Sequence, residues 1–441
     1  MPRRRVHVPL NVFLNNRHVG ILDKQSSGAI AFVYAAAWLA WEHAFPVSLS
    51  LPLRAERYIG APVVAVFENL LPDALPVRTR LAERVGAGGT DAYSLLAQIG
   101  RDCVGALQFL PDGAAAPETG EVAGEDVDEA QIEALLNNLS RAPLGLDREQ
   151  DFRISVAGAQ EKTALLRLGD RWLKPSGTTP TTHLLKPQIG QIHAAGGMID
   201  LSNSVENEHY CLTLLAGFGL PVARTAIYRF GKTRTLVVER FDRRWTRDGR
   251  LLRLPQEDFC QALSVPPAAK YQNEGGPGVT ALLDLLQGSD DPAADRLVVF
   301  KAQLLFWLIG APDGHAKNFS LFLKPGGRFS LTPLYDVLTG QPGVDARQIR
   351  LNGFKLAMSI GTSRHYRMRD ITGRHFFETG REAGLSEPVV REAVEDIRAR
   401  GGAAFSSAID AMPEGFPEQI HASVRAAFEA RIRTFDAVPT A

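Results

Sequence analysis

Residues 311–318 read Ala-Pro-Asp-Gly-His-Ala-Lys-Asn, which sets Asp313 five positions ahead of Asn318, directly after a strongly apolar stretch. The two side chains suit two halves of one task. A carboxylate can accept the proton of an attacking hydroxyl, and an amide oxygen is a hard ligand that can reach a Mg2+ ion on phosphates. An isolated pair of this kind is also what an Asp-Gly turn followed by a helix end would look like. Further along, residues 331–336, Leu-Thr-Pro-Leu-Tyr-Asp, read as a strand ending in an acid. Asp336 then offers the same ion a second hard oxygen, and Tyr335 precedes it.

Upstream, residues 182–186 end a short apolar strand on Lys186, a position from which an ammonium can reach phosphate oxygens; a snorkelling edge lysine is the alternative. Glu208 lies on the inward face of the helix that follows and is expected to pair with Lys186, because a buried carboxylate without a cation is costly. Residues 155–162, Ser-Val-Ala-Gly-Ala-Gln-Glu-Lys, lie between two strand-like runs. Ala157, Gly158 and Ala159 are small enough to let backbone N–H groups approach phosphates, although a plain hairpin turn would use the same residues. The order loop, lysine, glutamate, Asp-Asn pair, acid is that of a protein kinase, whose catalytic loop shares the Asp-to-Asn spacing. His315 reads as a residue that orders the catalytic turn.

The elements that must position these groups follow from periodicity. Residues 6–14 and 19–22 form a hairpin about Asn15 and Asn16, residues 94–99 are helical, and 103–110 return as a strand. Residues 111–129 turn to Gly, Ala, Pro and acid, a linker composition. Strands are expected over 163–168, 183–186, 225–229 and 235–239. A helix over 205–218 puts Glu208, Cys211, Leu214, Leu215 and Phe218 on one face before Gly219, and helices follow over 297–309 and 389–398. The expected organisation is a β-rich subdomain over 1–110, a linker and helix over 111–150, a nucleotide-binding α/β part over 151–243 and an α-helical catalytic lobe over 244–441. The expected class is a two-lobed, kinase-like α/β fold.

Composition removes other classes. Lys plus Arg and Asp plus Glu number 49 each, so no global field holds the chain to nucleic acid or an anionic membrane. Cys103, Cys211 and Cys260 are dispersed and odd in number, which fits neither a disulfide framework nor a zinc site and suits a reducing cytoplasm. The most apolar run, residues 29–41, has 13 residues where a membrane span needs about 20, so it reads as core and no membrane partner is expected. Polar residues from Asn11 to Arg17 break any signal peptide. Neither G-x-S-x-G nor H-E-x-x-H occurs, and G-x-G-x-x-A at 276–281 lacks the strand a dinucleotide site needs.

Taken in order, residues 67–73 (Phe-Glu-Asn-Leu-Leu-Pro-Asp), 99–109 (Ile-Gly-Arg-Asp-Cys-Val-Gly-Ala-Leu-Gln-Phe), 155–162, 180–183 (Pro-Thr-Thr-His), 238–242 (Val-Glu-Arg-Phe-Asp) and 313–318 resemble the HipA family of bacterial toxin kinases across nearly the whole chain. The resemblance implies an ATP site made of Ala157, Gly158, Ala159, Gln160, Glu161, Lys162, Lys186, Glu239, Arg240, Phe241, His315, Ala316, Lys317, Asn318, Tyr335 and Asp336, with Mg2+ on Asn318 and Asp336 and Asp313 as base. It also implies autophosphorylation at Ser155, a helix-turn-helix antitoxin of the HipB type that carries operator DNA, and glutamyl-tRNA synthetase as a protein substrate. Arg369 and Arg374, in a basic stretch with Arg364 and Arg367, could touch DNA phosphates or simply be a solvated loop. One departure stands after Lys186, where Pro-Gln-Ile-Gly replaces the Leu-Pro-Ile-Gly of the family. A pseudokinase that binds ATP and acts as a DNA-bound corepressor, and a small-molecule or lipid kinase, are the rival functions.

Overall fold

The computed structural model describes residues 7–114, 122–146, 153–158, 160–194 and 197–437. The chain divides into two compact units, one of residues 1–187, 228–268 and 321–329, the other of residues 188–227, 269–320 and 330–441. The helix Ser204–Gly217 belongs to the second.

In the first unit, Asn15 adopts a left-handed conformation (φ 53°) and joins the strands Leu10–Leu14 and Arg17–Lys24 as the expected hairpin. The apolar run at 29–41 supplies the strand Ile30–Tyr34 and the short helix Ala36–Leu39. With Tyr58–Ile59 and Leu107–Pro111 these strands make a five-stranded antiparallel sheet. The second sheet has the order Thr225–Phe230, Thr233–Glu239, His183–Pro187, Thr163–Leu168, Arg171–Pro175, Gly124–Val127.

One face of that second sheet carries Leu165, Trp172, Leu185, Phe230 and Val237, packed against Ile132, Leu136 and Leu139. The last group comes from the helix Glu129–Asn137 and the turn after it. That helix starts where it does because Asp128 accepts from the Gln131 N–H at 2.8 Å while the Gln131 side chain accepts from the Asp128 N–H at 2.8 Å. Each such fully buried aliphatic side chain contributes about 1.5–3 kcal/mol. Because side chains alternate along a strand, sinking Leu185 into this core turns Lys186 to the opposite face.

Two expectations change. Part of the linker, Gly124–Val127, is an edge strand on Arg171–Pro175, since backbone pairing needs no apolar side chains. Residues 115–121 lie outside the described residues. The strand expected to run to Asp336 stops at Leu331; beyond it, Leu334 makes a single bridge to Val222, and Pro333 cannot donate to a ladder.

The second unit is mainly helical. Ser204–Gly217 buries Glu208, Cys211, Leu214 and Leu215, and Phe218 follows, as the sequence stripe requires. Pro292–Ile309, Glu387–Asp410 and Glu418–Ile432 are the other long helices. Pro292–Ile309 starts on Asp291, which caps the Ala294 N–H at 3.1 Å, and stops at Gly310 with φ 72°. The three cysteines are buried and none of them is in a disulfide. Among the described residues no helix is long and apolar enough to cross a membrane.

Candidate phosphoryl-transfer site

The second unit carries the Asp-Asn loop. Gly310 turns the chain out of the long helix, and Ala311 N–H returns to Phe306 O at 2.7 Å. Gly314 is needed at the next bend, where a Cβ would collide with the Phe306 ring, and Gln303 Nε2 donates to Gly314 O at 3.3 Å. The loop then closes on itself: His315 N–H donates to Asp313 O at 2.9 Å and Asn318 N–H to His315 O at 2.9 Å. Asn318 Nδ2 also donates to Asp313 O, at 2.8 Å. With its nitrogen committed to the loop, the Asn318 amide keeps its oxygen as the acceptor that a metal ligand requires.

The Asp313 side chain is 53% exposed while His315 is buried beside it, with Nε2 3.9 Å from Asp313 Oδ1. Burial holds the His315 imidazole below its usual range, so it is neutral near pH 7. The histidine thus orders the turn without adding a full charge to it. Tyr335 Oη donates to Lys317 O at 3.0 Å and shares a 2.6 Å hydrogen bond with Ser320 Oγ, which ties the Asp336 segment to the loop. Asp336 itself sits at φ 59°. Beyond it, Thr339 N–H donates to Asn207 Oδ1 at 2.9 Å and Asn207 Nδ2 to Thr339 O at 2.9 Å, which anchors the segment to the Glu208 helix.

Among the described residues no group of three or more His, Cys, Asp or Glu side chains could hold a metal by itself. Mg2+ does not need one, since it takes one or two protein oxygens and completes its shell with water and substrate phosphates. Asn318 and Asp336 fit that requirement.

The first unit carries the phosphate-loop candidate and Lys186. Residues 153–157 form no strand, so the strand-like run expected before the loop does not form there and the hairpin alternative does not hold. Instead it is stitched to residues 70–73: Ser155 Oγ donates to Leu70 O at 2.7 Å, Asp73 N–H to Gly158 O at 3.4 Å, and Pro72 bridges Gly158. Gly158 has φ 105°, and a Cβ there would stand 2.5 Å from Lys162 Nζ, which itself donates to Ala157 O at 2.7 Å. A side chain at this φ is strained and would displace the Lys162 ammonium, so glycine suits a backbone that must approach a phosphate closely. Glu161 is exposed, Ala159 lies outside the described residues, and Gln160 Nε2 donates to Pro187 O at 3.3 Å. The proline after Lys186 thus leaves the strand intact and lends it only a carbonyl. Lys186 is buried, opposite Leu236 in the sheet, and Glu208 is buried in the second unit.

The strand-end segment 239–241 holds an unexpected feature. Glu239 is exposed and Phe241 meets the Phe322 ring edge-on at 5.9 Å, but the Arg240 guanidinium points inward. It binds Asp242 at 2.8 Å and lies 3.4 Å from Asp102. Asp102 also receives Arg243 and Arg253, each at 2.9 Å, and its carbonyl accepts the Ser155 N–H at 2.8 Å. Burial alone would raise the Asp102 carboxyl; Arg243, Arg253 and Arg240 override it and hold it far below the usual carboxylate range. Any contact of Arg240 with nucleotide is therefore through its backbone. The sequence carried Asp102, Arg240 and Asp242 in two of its distinctive blocks, 99–109 and 238–242, and Arg243 and Arg253 beyond them, without a signal that they meet.

Arg369 and Arg374 are exposed in the second unit. Arg369 and Arg367 share Asp370, at 3.4 and 3.8 Å, and Arg374 Nε donates to His375 Nε2 at 3.2 Å.

Residues 10–110 match the HipA N-terminal domain and residues 154–405 the HipA-like C-terminal domain. The protein named "Putative kinase Y4mE" of Sinorhizobium fredii is 35% identical over 392 residues, covering 88% of this chain and 89% of that protein. The "Serine/threonine-protein kinase toxin HipA" of Shewanella oneidensis is 29% identical over 361 residues, covering 78% of this chain and 77% of its own. A chain of the Shewanella oneidensis MR-1 complex of HipA, HipB and operator DNA matches with a TM-score of 0.79 over 97% of both chains at 24% identity. The architecture is a two-lobed, kinase-like α/β fold. The chain belongs to the HipA family.

Proposed function

We propose that this chain is a toxin-type serine/threonine protein kinase that moves the ATP γ-phosphate to a serine hydroxyl. The observation that carries the reading is the Asp313–Asn318 loop, in which the Asn318 amide nitrogen is tied to the Asp313 carbonyl while the Asp313 side chain stays half-exposed. Bound Mg·ATP supplies the phosphoryl group and much of the charge neutralisation. Asp313 accepts the acceptor proton, Asn318 and Asp336 hold the metal, and Lys186 holds phosphates with Glu208 as its counter-ion. Residues 157–162, 239–241, 315–318 and Tyr335 form the rest of the nucleotide site. Catalysis then rests on positioning and electrostatics.

The finer reading has the enzyme act in the cytoplasm, with glutamyl-tRNA synthetase as the acceptor and a HipB-like antitoxin as the partner that brings it to operator DNA. The relative whose name reads serine/threonine-protein kinase toxin supports the toxin class. Autophosphorylation at Ser155 would silence the enzyme. Its hydroxyl is buried against Leu70 O, and a phosphate of roughly two negative charges fits neither that seat nor a place beside ATP.

The test is labelled phosphate incorporation with Mg·ATP, by wild type and Asp313→Gln, into the protein and into a host lysate. ATP binding without transfer would turn the reading to a DNA-bound corepressor.

A further inference from the structure

The Asp313 carboxylate has a partner far from it in sequence. Tyr271 Oη donates to Asp313 Oδ1 at 2.7 Å, and the Tyr271 ring meets the His315 ring edge-on with centroids 5.0 Å apart. Nothing in the spacing of motifs points to residue 271, which precedes the glycine-rich stretch set aside as a dinucleotide site.

The backbone around Tyr271 is built to hold it still. Its carbonyl accepts the N–H groups of Glu274 and Gly276, each at 3.0 Å, which closes the turn Gln272–Glu274. The neighbouring Gln272 Oε1 accepts Ser359 N–H at 2.6 Å and Ser359 Oγ at 3.0 Å. Ser359 lies on the strand Lys355–Ile360, and Ala357 N–H of the same strand donates to Pro312 O at 2.9 Å. One strand therefore braces both sides of the contact, the tyrosine through Gln272 and the aspartate through Pro312.

A half-exposed aspartate has two side-chain torsions to lose before it can act as a base. Fixing Oδ1 removes that freedom and leaves Oδ2 for an incoming hydroxyl, within the hydrogen-bond reach that proton transfer requires. The neutral His315 ring packs on Tyr271, so a phenyl ring would preserve the packing. The hydroxyl is the part that packing does not explain.

We propose that Tyr271 is a positioning residue for the base Asp313, acting through its hydroxyl on the rate of phosphoryl transfer and not on nucleotide binding. This rests on the kinase reading above.

The test uses the full-length protein as wild type, Tyr271→Phe, Asp313→Gln and the double variant. Three quantities are read: Mg·ATP affinity by titration, the saturating rate of labelled phosphate incorporation into the protein, and the ATP concentration at half that rate. Tyr271→Phe should lower the saturating rate about 10- to 100-fold, a part of the roughly 10²–10⁴-fold that the positioned proton acceptor itself contributes. Half-saturation and affinity should stay within about twofold. In the Asp313→Gln background the same change should cost nothing further, as coupled residues require.

A Tyr271→Phe rate equal to wild type overturns the proposal. So does an equal fold-loss in both backgrounds, or a loss that appears in ATP affinity. If wild type binds Mg·ATP and transfers nothing, the kinase reading fails and takes the proposal with it. Transfer by wild type that Asp313→Gln abolishes and Tyr271→Phe leaves intact sinks the proposal alone.

Discussion

Replacing Asp102 by asparagine keeps the shape of the side chain and removes its charge from the most heavily buried ionic cluster described. Asp102 Oδ1 accepts Arg243 Nη2 and Arg253 Nε at 2.9 Å each, and Oδ2 accepts Thr181 N–H at 3.0 Å, Thr181 Oγ1 at 2.7 Å and Arg240 Nη1 at 3.4 Å. The aspartate side chain is 2% exposed, and the three guanidiniums are 2–4% exposed, so water cannot take its place. Three arginines face two aspartates, Asp102 and Asp242; without Asp102 two positive charges are left uncompensated. Removing one partner from a buried ionic cluster costs about 3–5 kcal/mol.

Typical domain stabilities are about 5–15 kcal/mol, so the variant should lose a large share of the stability of the first unit. Urea unfolding followed by circular dichroism reads the loss directly. The Ser155 amide, which donates to Asp102 O, should exchange with solvent faster in the variant. The pH dependence has a definite sign. A carboxylate depressed in the folded state stabilises fully above its unfolded range near 4, and that contribution is lost as pH falls through the folded value. The gap between wild type and Asp102→Asn should therefore be full at pH 7 and narrow in acid. A loss under about 1 kcal/mol at pH 7, or a gap that widens in acid, refutes the view that Asp102 organises this cluster.

Three further expectations concern other parts of the molecule. Glu257 accepts the Leu49 N–H at 2.8 Å, has no partner for Oε2 among the described residues, and is pushed up to about 8 by burial. Its stabilising protonated form is lost as pH rises from about 4.5 to 8, so denaturation at pH 5 and 9 should show wild type losing a few kcal/mol that Glu257→Gln keeps; parallel curves would reject this. Gly158→Ala places a Cβ against Lys162 Nζ at φ 105° and should weaken Mg·ATP binding at least about fivefold by titration, from strain of about 1–2 kcal/mol; unchanged affinity would remove residues 157–162 from the nucleotide site. If Arg369 and Arg374 touch operator phosphates in an antitoxin complex, replacing both by alanine should flatten the salt dependence of DNA binding by about one unit of slope per arginine, and an unaltered slope would return them to the solvated surface.

How far the sequence could be read depends on the range of the interactions. The hairpin about Asn15, the helix carrying Glu208 and the strand carrying Lys186 are written in local periodicity, and each forms with bounds close to those expected. The Asp313–Asn318 loop is local too, and its self-closure agrees with its spacing. What escaped is long-range. Tyr271 reaches Asp313 across 42 positions, and Arg253 reaches Asp102 across 151, and neither distance leaves a periodic trace. The seat of the Ser155 loop on residues 70–73 was hidden for the same reason. The strand at Gly124–Val127 escaped because an exposed edge pairs through backbone alone.

The most direct measurement is the rate at which purified protein incorporates labelled phosphate from Mg·ATP, compared with Asp313→Gln at equal ATP occupancy. Wild type should label itself and a lysate protein, with the variant slower by about 10²–10⁴-fold. Equal rates in the two proteins, or bound ATP with no transfer by wild type, would contradict Asp313 as the base of a kinase.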